Sequence, residues 1–259
     1  MLPGERGLGY NSDAYDARDR LFAASPDLPP EIFKAPDLSA YMVSPVRDQG
    51  GTSSCVGQAL ASAIEITACA RKGSAIRVSP RHLYAIGREL ENPRFRGNLT
   101  DSGSFPRLVM EAARSRGLLP EKAFPFSESD IDKRPTPADC VASFDARGLA
   151  YYRINSRGAE RLDAVKSALR RGCCVLFGMQ VDRAYQRNEG DTVHSMGASI
   201  GGHMQTAVAV DGVTVRVLNS WGTGWGDRGF AHYDQAFFSE CEMSDIYAVT
   251  FVPEVSDAA

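Results

Sequence analysis

One thiol, one imidazole and one carboxamide are the side chains of this sequence whose types and spacing suit the breaking of an acyl bond. Cys55 lies in PVRDQGGTSSCVGQAL (residues 45–60), six residues after Gln49 and immediately ahead of an apolar run of helical period. A thiol at a helix start meets unpaired backbone N–H groups and the positive end of the helix dipole, which favour its nucleophilic thiolate form. Such a nucleophile needs a base, and the chain has four histidines: His82, His194, His203 and His232. His203 follows Gly201 and Gly202 and opens a strand-like run, so its ring can project at a strand end. Asn219 comes 16 residues later, beyond an Asp211-Gly212 turn, and pairing of the two strands brings its amide oxygen to the imidazole. Nucleophile, base and orienting group are all available.

The elements that must hold these groups follow from period and caps. Val56, Ala59, Leu60, Ala63 and Ile64 recur as one face of a helix that starts at Cys55, with Ser53 or Ser54 as its cap. Further helices are expected over 79–92, with Pro80 in the first turn, over 104–117, stopped by Gly117, and over 158–172, stopped by Gly172. Short β-branched runs follow at 173–181, 204–210 and 214–220, and GFAHYDQAFF and DIYAVTFV read as further strand material. Helices first and antiparallel strands later is the α+β pattern. Residues 1–40, rich in Pro, Asp and Gly, read as an extended strap or short pro-like segment over a domain spanning 41–252, with 253–259 as a tail. The glycine-rich stretch 186–202 reads as an exposed, mobile loop.

A chain of 259 residues buries a full core without staples, and a formal charge of −3 offers no electrostatic reason to expect nucleic acid or an anionic membrane as partner. The first 20 residues lack the basic and apolar regions of a classical signal peptide, and no apolar run is long enough to span a bilayer. Six scattered cysteines without such a leader suggest free thiols in a cytoplasmic or otherwise reducing compartment. Cys173-Cys174 has no metal-ligand spacing and reads as core, no cofactor motif is present, and His82, His194, His232 and Trp225 read as structural.

PVRDQGGTSSCVGQAL, GGHMQTAVAV (201–210) and above all LNSWGTGWGDRGF (218–230) resemble the papain-like cysteine peptidases of the C1 family, specifically the prokaryotic-type branch without a long propeptide. The histidine and asparagine lie 148 and 164 residues after the cysteine, close to the spacing in that family. The resemblance implies a two-lobed fold, with a helical lobe near 45–130, a β-rich lobe near 140–252 and an extended polypeptide substrate in the cleft between them. It implies that Cys55 attacks the peptide carbonyl, His203 carries the proton and Asn219 holds the ring. It further implies that the Gln49 amide and the Cys55 N–H form the oxyanion hole, and that Trp221 shields the His–Asn hydrogen bond. In that family such a thiol is depressed to about 3–4 by its imidazolium partner.

The chain departs from the family pattern in four places. Thr52 stands where secreted relatives carry a disulfide-bonded cysteine, and Val56 where they carry a bulky aromatic at the cleft floor. TDSGSF (100–105) occupies the place of a glycine pair that binds substrate backbone on the acyl side, with Gly103 matching and Ser104 narrowing it. Gly202 precedes the histidine, removing a side-chain contact made by plant relatives. These departures leave room beside the endopeptidase for a papain-fold peptide-binding protein without activity, or for an isopeptidase or acyl transferase using the same groups.

Overall fold

The computed structural model describes residues 6–94, 96–187 and 192–253. The first half is helical. Helix α1 (Cys55–Lys72) is buried on nearly all sides and ends where Gly73 takes the left-handed conformation (φ 65°) and returns its N–H to Cys69 at 2.8 Å. Helix α2 (Pro80–Glu91) starts with Pro80 in its first turn and with the Ser79 hydroxyl accepting the His82 N–H at 3.0 Å. Helix α3 (Pro106–Arg116) stops at Gly117, and α1, α2 and α3 pack on one another.

Beyond the short α4 (Pro137–Cys140) comes a seven-stranded sheet, built from β1 (Leu149–Ile154), β2 (Cys174–Val181), β3 (Thr192–Val193), β4 (Gly201–Asp211), β5 (Thr214–Leu218), β6 (Phe230–Asp234) and β7 (Met243–Phe251). Its order is β1-β7-β2-β4-β5-β6-β3. Helix α5 (Gly158–Arg170) and helix α7 (Gln235–Glu240) pack on the sheet, with the short α6 (Arg183–Arg187) following β2. Helix α1 lies against β2, β4 and β7, and the Thr206 hydroxyl donates to Ala59 of α1 at 3.4 Å. The helix that opens on Cys55 is thereby packed onto the strand that bears His203. The architecture is the expected α+β one.

Several local expectations need correction. Ser54 occupies the cap position of α1 but makes no capping bond to the backbone; its hydroxyl is held by Thr52 at 2.8 Å and by Gln58 at 3.3 Å. The run GFAHYDQAFF is strand only to Asp234, whose carboxylate accepts the Ala236 and Phe237 N–H groups and starts α7. A strong local cap there overrides β propensity. Strand β1 carries no clean alternation and was not anticipated; it forms by pairing antiparallel to β7 along its whole length. Within the glycine-rich stretch, Thr192 and Val193 pair parallel to β6, while residues 188–191 lie outside the described residues.

The N-terminal segment runs across both lobes. Gly7 donates to Gly50 at 3.0 Å, Tyr10 to Gly202 at 3.1 Å and Asn11 to Ser104 at 3.1 Å, while Gly9 accepts from Ser104 at 2.9 Å. Further along, Arg20 accepts the Arg153 N–H of β1, Ile32 and Phe33 donate to Arg170 at the end of α5, and Asp37 bridges to Ala209 of β4.

Candidate active site

Cys55 opens α1, where first-turn N–H groups have no partner within the helix. The turn ahead of it is set by side chains. Thr52 Oγ donates to the Gln49 carbonyl at 2.8 Å, and the Asp101 carboxylate accepts the Ser53 N–H at 3.0 and 3.1 Å together with the Tyr84 hydroxyl at 2.7 Å. Asp101 is a site-shaping residue that sequence reasoning missed: it lies 46 positions from Cys55 in a polar loop, and only the packing of α2 brings it under the turn.

On the facing wall, the β4–β5 hairpin pairs Thr206 with Leu218, and Asn219, one residue past β5, reaches back to His203. Asn219 Oδ1 accepts the Ser220 N–H at 2.7 Å, which fixes that atom as the carbonyl oxygen; His203 Nε2, also at 2.7 Å, is therefore the donor. The proton on Nε2 leaves the Nδ1 lone pair free to accept, and Nδ1 is buried without a hydrogen-bond partner among the described residues. Trp221 stacks on the imidazole, ring centroids 4.3 Å apart at 22°, and Trp225 braces Trp221 edge-on at 5.3 Å. Both tryptophans are buried, so the His203–Asn219 bond is kept from water.

Gln49 is docked onto the same wall. Its N–H donates to the Ser220 carbonyl at 2.8 Å, and its side-chain oxygen accepts the Ser220 hydroxyl at 2.6 Å. Ser220 thus orients both carboxamides. The Gln49 Nε2 donates to Thr52 O at 2.7 Å and to Gly7 O, a carbonyl of the N-terminal segment, at 3.0 Å.

That segment covers the centre. A Cβ on Gly7 or Gly9 would lie 1.9 Å from the Thr52 oxygen or 2.0 Å from the Ser53 oxygen, so only glycine lets the strap lie this close to the turn. The backbone amides of Gly9 and Met204 face the Cys55 sulfur. Gly103 (φ 83°) and Gly202 would each place a Cβ against strap backbone, 2.3 Å from Gly9 O and 2.4 Å from Tyr10 O. Ser104 contributes its main chain to the strap, while its hydroxyl is buried and has no partner among the described residues.

Under this cover Cys55 and His203 are both inaccessible to solvent. Burial pushes the thiol up to about 11 and the imidazole down to about 4, the Asn219 hydrogen bond opposing the latter. The sequence suggested a thiolate–imidazolium pair; with the strap in place the neutral pair is favoured, because desolvation penalises both charges. His82 bonds the Gly117 carbonyl at 3.2 Å, His232 faces Asp227 at 3.2 Å, His194 is exposed, and Cys173 and Cys174 are buried free thiols, all away from this centre.

The strap is tied down by a second polar cluster with no local signature in the sequence. The Tyr10 hydroxyl donates to Asp245 at 2.5 Å, and Asp13 donates its N–H to the same oxygen at 2.7 Å. Asp245 also pairs with Arg153 at 2.9 Å, and Asp19 is held by Arg107 at 2.7 Å and Arg153 at 3.3 Å.

The sequence pattern of the family described as papain family cysteine protease matches residues 30–251. The chain is 24% identical over 206 residues to a cathepsin L-like proteinase of Phaedon cochleariae, covering 74% of this chain and 57% of that one. It is 28% identical over 202 residues to the thiol protease aleurain of Arabidopsis thaliana, covering 73% of this chain and 52% of that one. It therefore spans little more than half the length of these two relatives. Among solved structures, xylellain, a cysteine protease from Xylella fastidiosa, superposes with a TM-score of 0.79 at 23% identity, over 97% of this chain and 99% of that one. A digestive procathepsin L 3 of Tenebrio molitor larval midgut gives 0.71 at 19% identity, over 96% and 77%. These two show a shared fold.

Proposed function

The chain belongs to the papain family of cysteine proteases, and from that premise we propose that it is a cysteine endopeptidase whose cleft is closed by its own N-terminal strap. The observation that carries the reading is the His203–Asn219 bond sealed by Trp221, with Nδ1 buried and unpartnered among the described residues, on the strand whose next residue, Met204, turns its backbone amide to the Cys55 sulfur. With the strap displaced, the Cys55 proton passes to His203 Nδ1 and the thiolate attacks the carbonyl carbon of an extended polypeptide. The oxyanion takes hydrogen bonds from Gln49 Nε2, released from Gly7, and from the Cys55 N–H. Collapse expels the amine, protonated by His203, and leaves a thioester on Cys55. His203 then deprotonates a water, whose attack frees the acid and restores the thiol. The six unpaired cysteines support a reducing setting for this chemistry.

Replacing Cys55 by Ala in the full chain is expected to abolish peptide hydrolysis without loss of thermal stability. Turnover retained by Cys55→Ala would reject the reading, and a folded wild-type protein that takes up a peptide without cutting it, even with the strap dislodged, would assign the cleft to binding alone.

A further inference from the structure

The strap shows more than that the cleft is covered. Gly9 lies at the sulfur, and the next residue, Tyr10, sends its side chain down into the β lobe, where only 5% of it remains exposed. Its ring rests on Gly178, where a Cβ would come within 2.2 Å of the ring carbon bearing the hydroxyl. Gly178 stands at a register shift of the β2–β7 ladder, so the sheet itself makes the hollow. At the floor the phenol meets Ser244 at 2.6 Å and Asp245 at 2.5 Å. The backbone of Asp245 is held in the left-handed region (φ 51°), and its other oxygen is already paired with Arg153.

When the strap leaves, the Asp245 oxygen that accepts from Tyr10 and Asp13 loses both donors at a site that is 1% exposed with the strap in place. A ligand that refills the hollow shuts water away from that oxygen again, so one that brings no donor is penalised and one that supplies a donor is favoured. The donor must come from a flat side chain able to lie on Gly178. A guanidinium or ammonium would stand beside the Arg153 cation, which also contacts Asp19 and the Tyr247 hydroxyl. A neutral phenol carries no such repulsion.

Resting on the peptidase reading of the cleft, we propose that Asp245, at the foot of the hollow filled by Tyr10, makes this cleft specific for tyrosine. The strap residue at the sulfur is Gly9 and the pocket residue is its neighbour on the Ser104 side, so the selected tyrosine immediately precedes the residue whose carbonyl is attacked. The strap is bridged parallel to Ser104. It fills the pocket as a substrate would, whichever way its own chain runs.

The test uses the full chain carrying Gly9→Val, or Gly7→Val should the first variant fold poorly; either side chain collides with the Cys55 turn and dislodges the strap. Fluorogenic peptides identical except for Tyr, Phe or Arg at that position are compared by kcat/KM. Tyr is expected to exceed Phe roughly 10- to 100-fold, as for a lost hydrogen bond to a charged group, with Arg no better than Phe. Asp245→Asn, which tolerates the left-handed backbone, is expected to collapse the Tyr-to-Phe ratio toward one. The substrate comparison on unaltered Asp245 stands whether or not that variant folds. Equal rates for Tyr and Phe, or a preference for Arg, would overturn the proposal. Should no peptide be cut, anisotropy of the same labelled peptides decides separately. Tighter binding of Tyr retains the pocket and removes the peptidase reading, whereas equal binding, or none, removes the pocket.

Discussion

At the scale of single residues, Ser220 is the hinge of the site, its N–H on Asn219 and its hydroxyl on Gln49. On the proposed reading the two carboxamides have separate tasks: Asn219 fixes the tautomer of His203, whereas Gln49 would supply a hydrogen bond that matters as charge develops on the carbonyl oxygen. In a strap-displaced background, Gln49→Ala is expected to lower kcat about 100- to 1000-fold with little change in KM, the usual effect of removing one oxyanion donor. Steady-state kinetics on a single peptide measures this; a loss confined to KM would show that Gln49 only binds substrate.

At the scale of elements, the strap is a backbone ligand whose fit depends on two glycines. Gly7 and Gly9 are the positions where a Cβ would meet the Thr52 and Ser53 carbonyls at 2.0 Å or less. Gly9→Val is expected to raise the rate at which iodoacetamide labels Cys55 at neutral pH by at least tenfold, since the covered thiol is pushed up to about 11 and the uncovered one regains solvent and its imidazole partner. Mass spectrometry of the labelled peptide follows it, with partly exposed Cys69 as internal control. Unchanged labelling of Cys55 would mean that the lobes themselves, rather than the strap, bury the sulfur.

At the scale of the whole molecule, the strap joins both lobes through the cluster of Asp13, Asp19, Asp245, Arg107, Arg153, Tyr10 and Tyr247. Burial, and after it the Asp245 charge, raises Asp13 from an ordinary 3.8 to about 6, against the Tyr247 hydrogen bond and Arg107. A carboxyl with a higher pKa docked than free takes up a proton on docking, so docking weakens as pH rises from about 4 to about 6 and is constant above. Hydrogen-exchange protection of residues 7–11, corrected for intrinsic rates, is expected to fall through that interval and level off. Asp13→Asn is expected to flatten the profile, and protection that instead rises with pH would show that the arginine pairs dominate.

How much of this was written in the chain can be judged residue by residue. The helix at Cys55, the Pro80 start and Gly117 stop, the Asp211-Gly212 hairpin and the motif around Asn219 are local signals, because helix ends, tight turns and period act over a few residues. The same locality explains why Cys55, His203 and Asn219 stood out as candidates, each beside a turn or strand end that marks it, while Gln49 was named through the family resemblance. Strand β1 and the switch to α7 were not, since one depends on a distant partner and the other on a cap stronger than the strand pattern around it. The tertiary structure alone decided that Gly9 faces the sulfur, that Tyr10 finds Asp245 more than 230 residues away, and that the thiol and imidazole are held neutral. Those outcomes depend on desolvation and on contacts between distant segments. A sequence fixes such quantities only through the packing it produces.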